Sequence, residues 1–178
     1  MPSESLRLFF ALWPDAALRR AIRWATREVT RSSGGRIVAP SHFHLTLVFL
    51  GSQPRNRLAS IMDVAASLPL VHGELILNRL GYFAASRVLW YGPRRTPLLL
   101  ARHVNRLRRM LIAADLCPPG PVRDWRAHLS LVRKVAYGPL PTVRAIHWNY
   151  AGFSLIASES TATGVCYRVL AEWPGTRL

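Results

Sequence analysis

Two short stretches of this chain carry the same chemistry-bearing pattern. They are His44-Leu45-Thr46-Leu47 and His128-Leu129-Ser130-Leu131, with 84 positions between the histidines, about half of the 178-residue sequence. Side chains on a strand alternate between its faces, so residues i and i+2 point the same way. In the first stretch His44, Thr46 and Val48 would share one face, leaving Leu45, Leu47 and Phe49 to the core. In the second, Arg126, His128 and Ser130 would line one face, opposite Ala127, Leu129 and Leu131. Each strand then projects one imidazole beside one hydroxyl. If both reach a common groove, two imidazoles and two hydroxyls meet one ligand. A single His-x-Thr arises easily by chance; the repeat, with matched apolar flanks, is the signal.

Phosphoryl transfer gives such a set a use. Attack at phosphorus is in line, so a base is needed on one side and an acid on the other. Histidine serves as either near neutral pH. The hydroxyls can hydrogen-bond the non-bridging oxygens, and Arg126 adds positive charge on the face of His128. This chemistry requires no metal or other cofactor. His42 shares the face of His44, but zinc would need a third ligand, and acids are scarce, Asp124 being the nearest to the second motif.

The composition points the same way. Lys and Arg number 24 against 9 Asp and Glu, a formal charge of +15, and every basic residue except Lys134 is arginine. Such a surplus attracts polyanions, and the arginine fork grips phosphate with two hydrogen bonds. Half the residues are hydrophobic, too many for a disordered basic tail. No apolar run is long enough to span a membrane, and the N-terminal stretch lacks signal-peptide features. Cys117 and Cys166 form neither a disulfide framework nor a metal motif and read as packing residues. A cytoplasmic protein without membrane contact is expected.

The elements that must position the motifs alternate along the chain. Leu6 to Leu12 reads as a strand. Asp15 caps a helix to about Arg31, with Leu18, Ile22, Ala25 and Val29 facing inward. Pro54 starts a second helix to about Ser67. Glu74 to Leu80 and Arg87 to Tyr91 read as a hairpin joined near Gly81. A third helix runs from Leu98 to Asp115, with Leu100, Val104, Leu107 and Leu111 inside and Arg102, Arg106, Arg108 and Arg109 outside. Arg126 to Lys134, Trp148 to Ile156 and Val165 to Trp173 read as strands. Trp90 and Trp173 are assigned to the core, Tyr167 to the core or, as the second choice, the border of the cleft, and His72, His103 and His147 to surface or structural positions. Helices interspersed with antiparallel strands argue for α+β, and no low-complexity linker divides residues 1–178.

With these residues in view, the sequence resembles the 2H phosphoesterases, and within them the RNA 2′,3′-cyclic phosphodiesterases also called 2′-5′ RNA ligases. RLFFALWP at Arg7–Pro14, HLTLVFLG at His44–Gly51, RVLWYG at Arg87–Gly92, WRAHLSLVR at Trp125–Arg133 and LAEWP at Leu170–Pro174 carry the likeness. The resemblance implies two pseudo-symmetric lobes of antiparallel sheet plus helices around a central cleft, in a single two-lobed domain. It implies hydrolysis of RNA 2′,3′-cyclic phosphate ends to 2′-phosphates by a monomer, with RNA bearing a cyclic phosphate or a 2′-5′ linkage as partner. His44 would be the proton donor to the leaving 3′-oxygen and His128 the acceptor that activates water. Thr46 and Ser130 match phosphate-holding positions. Ser130 stands where threonine is commoner and Ala127 where proline is frequent. Two other functions compete: a basic RNA-binding module with a vestigial site, and a 2H hydrolase of another cyclic or 2′-5′-linked nucleotide.

Overall fold

The computed structural model describes residues 5–119, 125–136, 138, 140–161 and 164–175; Asp124 lies outside them. In chain order, β1 (Ser5–Leu12) leads to α1 (Ala16–Ser32), β2 (Arg36–Ile37), a 3-10 turn at Pro40–His42 and β3 (Leu45–Pro54). Another 3-10 turn, Arg55–Arg57, precedes α2 (Leu58–Ala66), β4 (His72–Leu77), β5 (Arg79–Phe83) and β6 (Val88–Gly92). Then come α3 (Leu98–Ala113), β7 (Leu129–Arg133), β8 (Ile146–Ala151), β9 (Phe153–Thr161) and β10 (Gly164–Trp173).

Seven strands lie in the order β10-β9-β1-β3-β7-β6-β5, with β2 added beside β7, and β4 pairs with β8 in a separate two-stranded sheet. Every pairing is antiparallel. The fold is α+β. The large sheet has two halves, one ending in β3 and one in β7, and a single residue pair, Leu45 with Leu129, joins them. These are the equivalent residues of the two repeated motifs, so a local twofold axis passes between them. Both leucines are fully buried.

Local chemistry accounts for the helices. The Asp15 side chain accepts a hydrogen bond from the Leu18 amide at 2.8 Å, capping α1. Ile22, Thr26 and Val29 face inward from α1, and Leu100, Val104, Leu107 and Leu111 from α3. They pack with the back of the sheet, Leu8, Phe10, Leu12, Leu45 and Leu129 among it, in one core.

Several boundaries differ from the sequence reading: the strand read from Arg126 to Lys134 is Leu129–Arg133, and the third helix ends at Ala113. Pro54 ends β3 and leaves the helix to start at Leu58. The expected Gly81 hairpin is absent: β4 pairs with β8, and β5 and β6 form a hairpin whose turn lies at 84–87. Gly81 instead sits in β5 opposite Trp90, where a Cβ would come 1.9 Å from the indole Cζ2. The strand expected from Trp148 to Ile156 is divided at Gly152, whose φ of +78° turns the chain between the two sheets.

Candidate active site

Antiparallel pairing at Leu45–Leu129 dictates the geometry of the four motif side chains. Counting outward, position 44 lies across from 130, and position 46 across from 128. All four point away from the core that holds the two leucines. Each imidazole therefore has the other motif's hydroxyl as its cross-strand neighbour, Ser130 for His44 and Thr46 for His128. The sequence reading had paired each histidine with the hydroxyl of its own strand.

The two imidazoles are held in the same way. His44 Nδ1 lies 2.8 Å from the carbonyl oxygen of His42, and His128 Nδ1 lies 2.8 Å from that of Arg126. A carbonyl only accepts, so Nδ1 is the protonated nitrogen in both rings. Nε2 of each is left to take or give a proton. The i−2 carbonyl comes from the approach to each strand; β7 begins only at Leu129, and residues 125–128 lead into it outside any regular element.

Aromatic walls surround both rings. Trp13 stacks on His44 at 5.4 Å between centroids and 5° between planes, while Phe9 lies 4.9 Å away and Tyr167 meets it edge-on at 5.2 Å. Phe83 meets His128 edge-on at 4.9 Å, with Trp90 at 6.3 Å. Burial is the main reason that the His44 pKa falls from 6.5 to about 4, with the positive charges of Arg133, His128 and His42 lowering it further. His128 is lowered too, first by burial and then by Arg126 and Arg133. In both, the carbonyl bond to Nδ1 opposes the fall.

A cleft of about 690 Å³ opens on this face, lined by His44, Thr46, Ser130, His42, Arg133, Tyr167 and the neighbouring Arg7, Arg36 and Phe49. His128 and Arg126 do not line it. His128 stands one cross-strand step from Thr46, and Arg126 is exposed with its guanidinium 5.5 Å from the Trp90 ring.

Several of these residues carried no signal as functional positions. Phe49 was assigned to the core, yet it is 49 % exposed and supports the Arg7 guanidinium at 4.7 Å. The pairing of β1 with β3 skips Leu47 and again Leu50, and each bulge reverses the side-chain alternation. Val48 is thereby buried and Phe49 brought to the cleft. For Tyr167 the second of its two readings holds: it borders the cleft from β10 and packs on Phe9 and Trp13. Arg133 influences both histidines through space, a position visible only once β3 and β7 are paired.

The other assignments divide. Trp90 is buried, and Trp173 packs against Phe153 at 5.0 Å. Cys117 is buried, but Cys166 is exposed on β10 and is not a packing residue. His103 is buried on α3, and His147 Nδ1 pairs with Glu74 at 2.6 Å. Among the described residues, no three His, Cys, Asp or Glu side chains gather as a metal site. No helix there is long and apolar enough to cross a membrane.

Fold and site together define a class: α+β proteins whose duplicated strand motif presents paired imidazoles and hydroxyls on one face of an antiparallel sheet. Residues 12–90 match the family described as LigT like Phosphoesterase. The Escherichia coli (strain K12) protein named RNA 2′,3′-cyclic phosphodiesterase is 29% identical over 178 residues, covering 98% of this chain and 99% of its own. The Thermus thermophilus protein of the same name is 27% identical over 177 residues, covering 94% of this chain and 89% of its own. The crystal structure of E. coli LigT complexed with 3′-AMP superposes with a TM-score of 0.88 at 28% identity, covering 98% of this chain and all of that one. Over residues 12–90 in the family comparison, and over nearly its whole length in the relatives and solved structures, the chain is similar to the LigT-like phosphoesterases.

Proposed function

We propose that this protein hydrolyses 2′,3′-cyclic phosphate ends of RNA to 2′-phosphates, with His44 and His128 as a general acid and base and no metal ion. The reading applies to one two-lobed unit acting as a monomer in the cytoplasm. The observation that carries it is the shared geometry of the two imidazoles. They belong to motif strands related by a local twofold, each has Nδ1 tied to a carbonyl, and each keeps Nε2 for proton transfer. The names of the E. coli and T. thermophilus relatives and the 3′-AMP complex support RNA as the substrate class.

In the proposed step a water molecule loses a proton to His128 Nε2 as its oxygen attacks phosphorus. The bond to the 3′-oxygen breaks, and His44 Nε2 gives that oxygen a proton. The phosphate stays on the 2′-oxygen, and exchange with solvent restores both rings. Thr46 and Ser130 hold the non-bridging oxygens, while Arg126 and Arg133 stabilise the negative charge, the place a metal would otherwise fill. If an RNA 5′-hydroxyl replaces water, the same step forms a 2′-5′ linkage. Its reversal exchanges the two histidine roles by microscopic reversibility.

The test is an oligoribonucleotide ending in a 2′,3′-cyclic phosphate, incubated with the protein and EDTA. A 2′-phosphate end is expected. A 3′-phosphate end, or no turnover, overturns the reading. RNA binding without turnover, unchanged when both histidines are replaced, would instead favour a binding module with a vestigial site.

One observation favours the opposite order of roles. Burial lowers the pKa of both rings, and at His44 the fall is large, to about 4, so His44 holds a proton weakly, which suits it to be the base and His128 the acid. A substrate attacked by water whose leaving group needs no proton, such as the p-nitrophenyl ester of a 2′-deoxynucleoside 3′-phosphate, separates the two. The variant lacking the acid keeps its activity on that ester, and the variant lacking the base loses it.

A further inference from the structure

Helix α1 buries Ile22, Thr26 and Val29, and the face opposite them is basic. Arg20, Arg23, Arg27 and Arg31 recur at steps of three and four, which places them along one side of the helix, and all are exposed. Trp24 stands among them, 55 % exposed. The Arg27 guanidinium lies 5.4 Å from the indole centroid, and the Arg144 guanidinium, from the segment leading into β8, lies at 5.6 Å. The buried Tyr91 hydroxyl donates to the Arg144 carbonyl at 2.6 Å, which fixes the point from which that side chain reaches the indole. Among the described residues, none of the four helix arginines is paired with a carboxylate.

An indole in water with guanidiniums beside it contributes little to folding. It is a ready surface for a planar, polyanionic partner. A base can stack on the ring while the arginines meet the phosphates on either side, the combination that single-stranded nucleic acid recognition uses. We propose that this face of α1 is a second docking surface for RNA, which holds the single-stranded body of the substrate while its end occupies the cleft. The inference rests on RNA being the substrate and extends recognition from the reacting end to the strand. Trp13, stacked on His44, lies just ahead of the α1 cap, and α1 packs against the Pro40–His42 turn that brings His42 to the cleft. The basic face of α1 looks away from the sheet, so a strand whose end occupies the cleft reaches it by passing round the Pro40–His42 side, which takes an oligonucleotide of several residues.

The same charges would attract an anionic membrane, but an interfacial helix needs an apolar face to insert. The apolar face of α1 is in the core, and its outward face offers one indole among arginines. On α3, Arg102, Arg106 and Arg109 are also exposed, but no exposed aromatic accompanies them. They serve as a charge-matched control.

The experiment compares a long single-stranded oligoribonucleotide and a nucleoside monophosphate, both carrying a 2′,3′-cyclic phosphate. Trp24→Ala is expected to weaken binding of the oligonucleotide by about five- to 150-fold, the range for losing one stacked base. Trp24→Phe should restore most of it. Arg23→Gln with Arg27→Gln should reduce the slope of log K against log salt by about 1.4. Turnover of the mononucleotide should be unaffected by each of these changes. Two results would overturn the inference: oligonucleotide binding that is indifferent to Trp24, or an equal loss from Arg102→Gln with Arg106→Gln. Binding of α1 to vesicles of anionic phospholipid in preference to the oligonucleotide would do the same. Oligonucleotide binding is measured by fluorescence anisotropy without turnover, so a protein that hydrolyses neither substrate defeats the proposed reaction while this surface remains testable.

Discussion

Replacing His44 with glutamine should alter how stability responds to acid. The native pKa of this ring, about 4, lies below its ordinary 6.5 because burial disfavours the charged form. The folded state therefore binds fewer protons at this site than the unfolded chain. Its contribution to stability is intact above the unfolded value and is lost as pH falls through 6.5 toward 4. At about 1.4 kcal/mol per pH unit the fall amounts to roughly 3 kcal/mol, and screening by water in the cleft reduces it to about 2. Urea unfolding of wild type and His44→Gln at pH 7 and near pH 4 gives the comparison. The carboxylates and the other histidines are common to both proteins and cancel in the difference. The stability advantage of wild type over the variant should shrink by about 2 kcal/mol on acidification. A difference that stays constant with pH, or an NMR titration of His44 centred at its ordinary value, would refute the reasoning. Saturating nucleoside 2′-phosphate should move the His44 midpoint upward, because an anion beside Nε2 favours the charged ring.

Two further perturbations test the geometry. Gly81→Ala puts a methyl group 1.9 Å from Trp90 Cζ2, so the indole must move. A stability loss of about 1–3 kcal/mol is expected in thermal unfolding, with a fall in kcat because Trp90 and Phe83 wall in His128. Double-mutant cycles between each histidine and each hydroxyl should show the larger coupling across the strands, His44 with Ser130 and His128 with Thr46. Larger coupling within each strand would contradict the register at Leu45–Leu129.

Much of the fold was legible where a local pattern sufficed. The Asp15 cap, the α1 and α3 stripes, and the two His-x-Thr/Ser strands all follow from spacing, because each depends on neighbours in sequence. The errors arise where a distant partner decides. Phe49 turned from core to cleft because β1 imposes two bulges on β3, and nothing in HLTLVFLG marks them. Gly81 looked like a turn because glycine suits one; it is glycine because the Trp90 indole occupies the place of its Cβ. Tyr167 and Arg133 join the site from β10 and from the end of β7, positions that periodicity alone assigns no role. The face shared by His44 and Thr46, and by His128 and Ser130, was readable strand by strand. Their cross-strand arrangement required the pairing.

The claim that both imidazoles serve one phosphorus atom is tested most directly by single-turnover hydrolysis of the cyclic-phosphate RNA. Wild type, His44→Ala, His128→Ala and the double variant are compared. Each single change should slow the reaction by about 100- to 10,000-fold, and the double variant should be little slower than the slower single one, because acid and base act in one step. A double variant that keeps wild-type turnover, or a single variant with unaltered rate, contradicts the account.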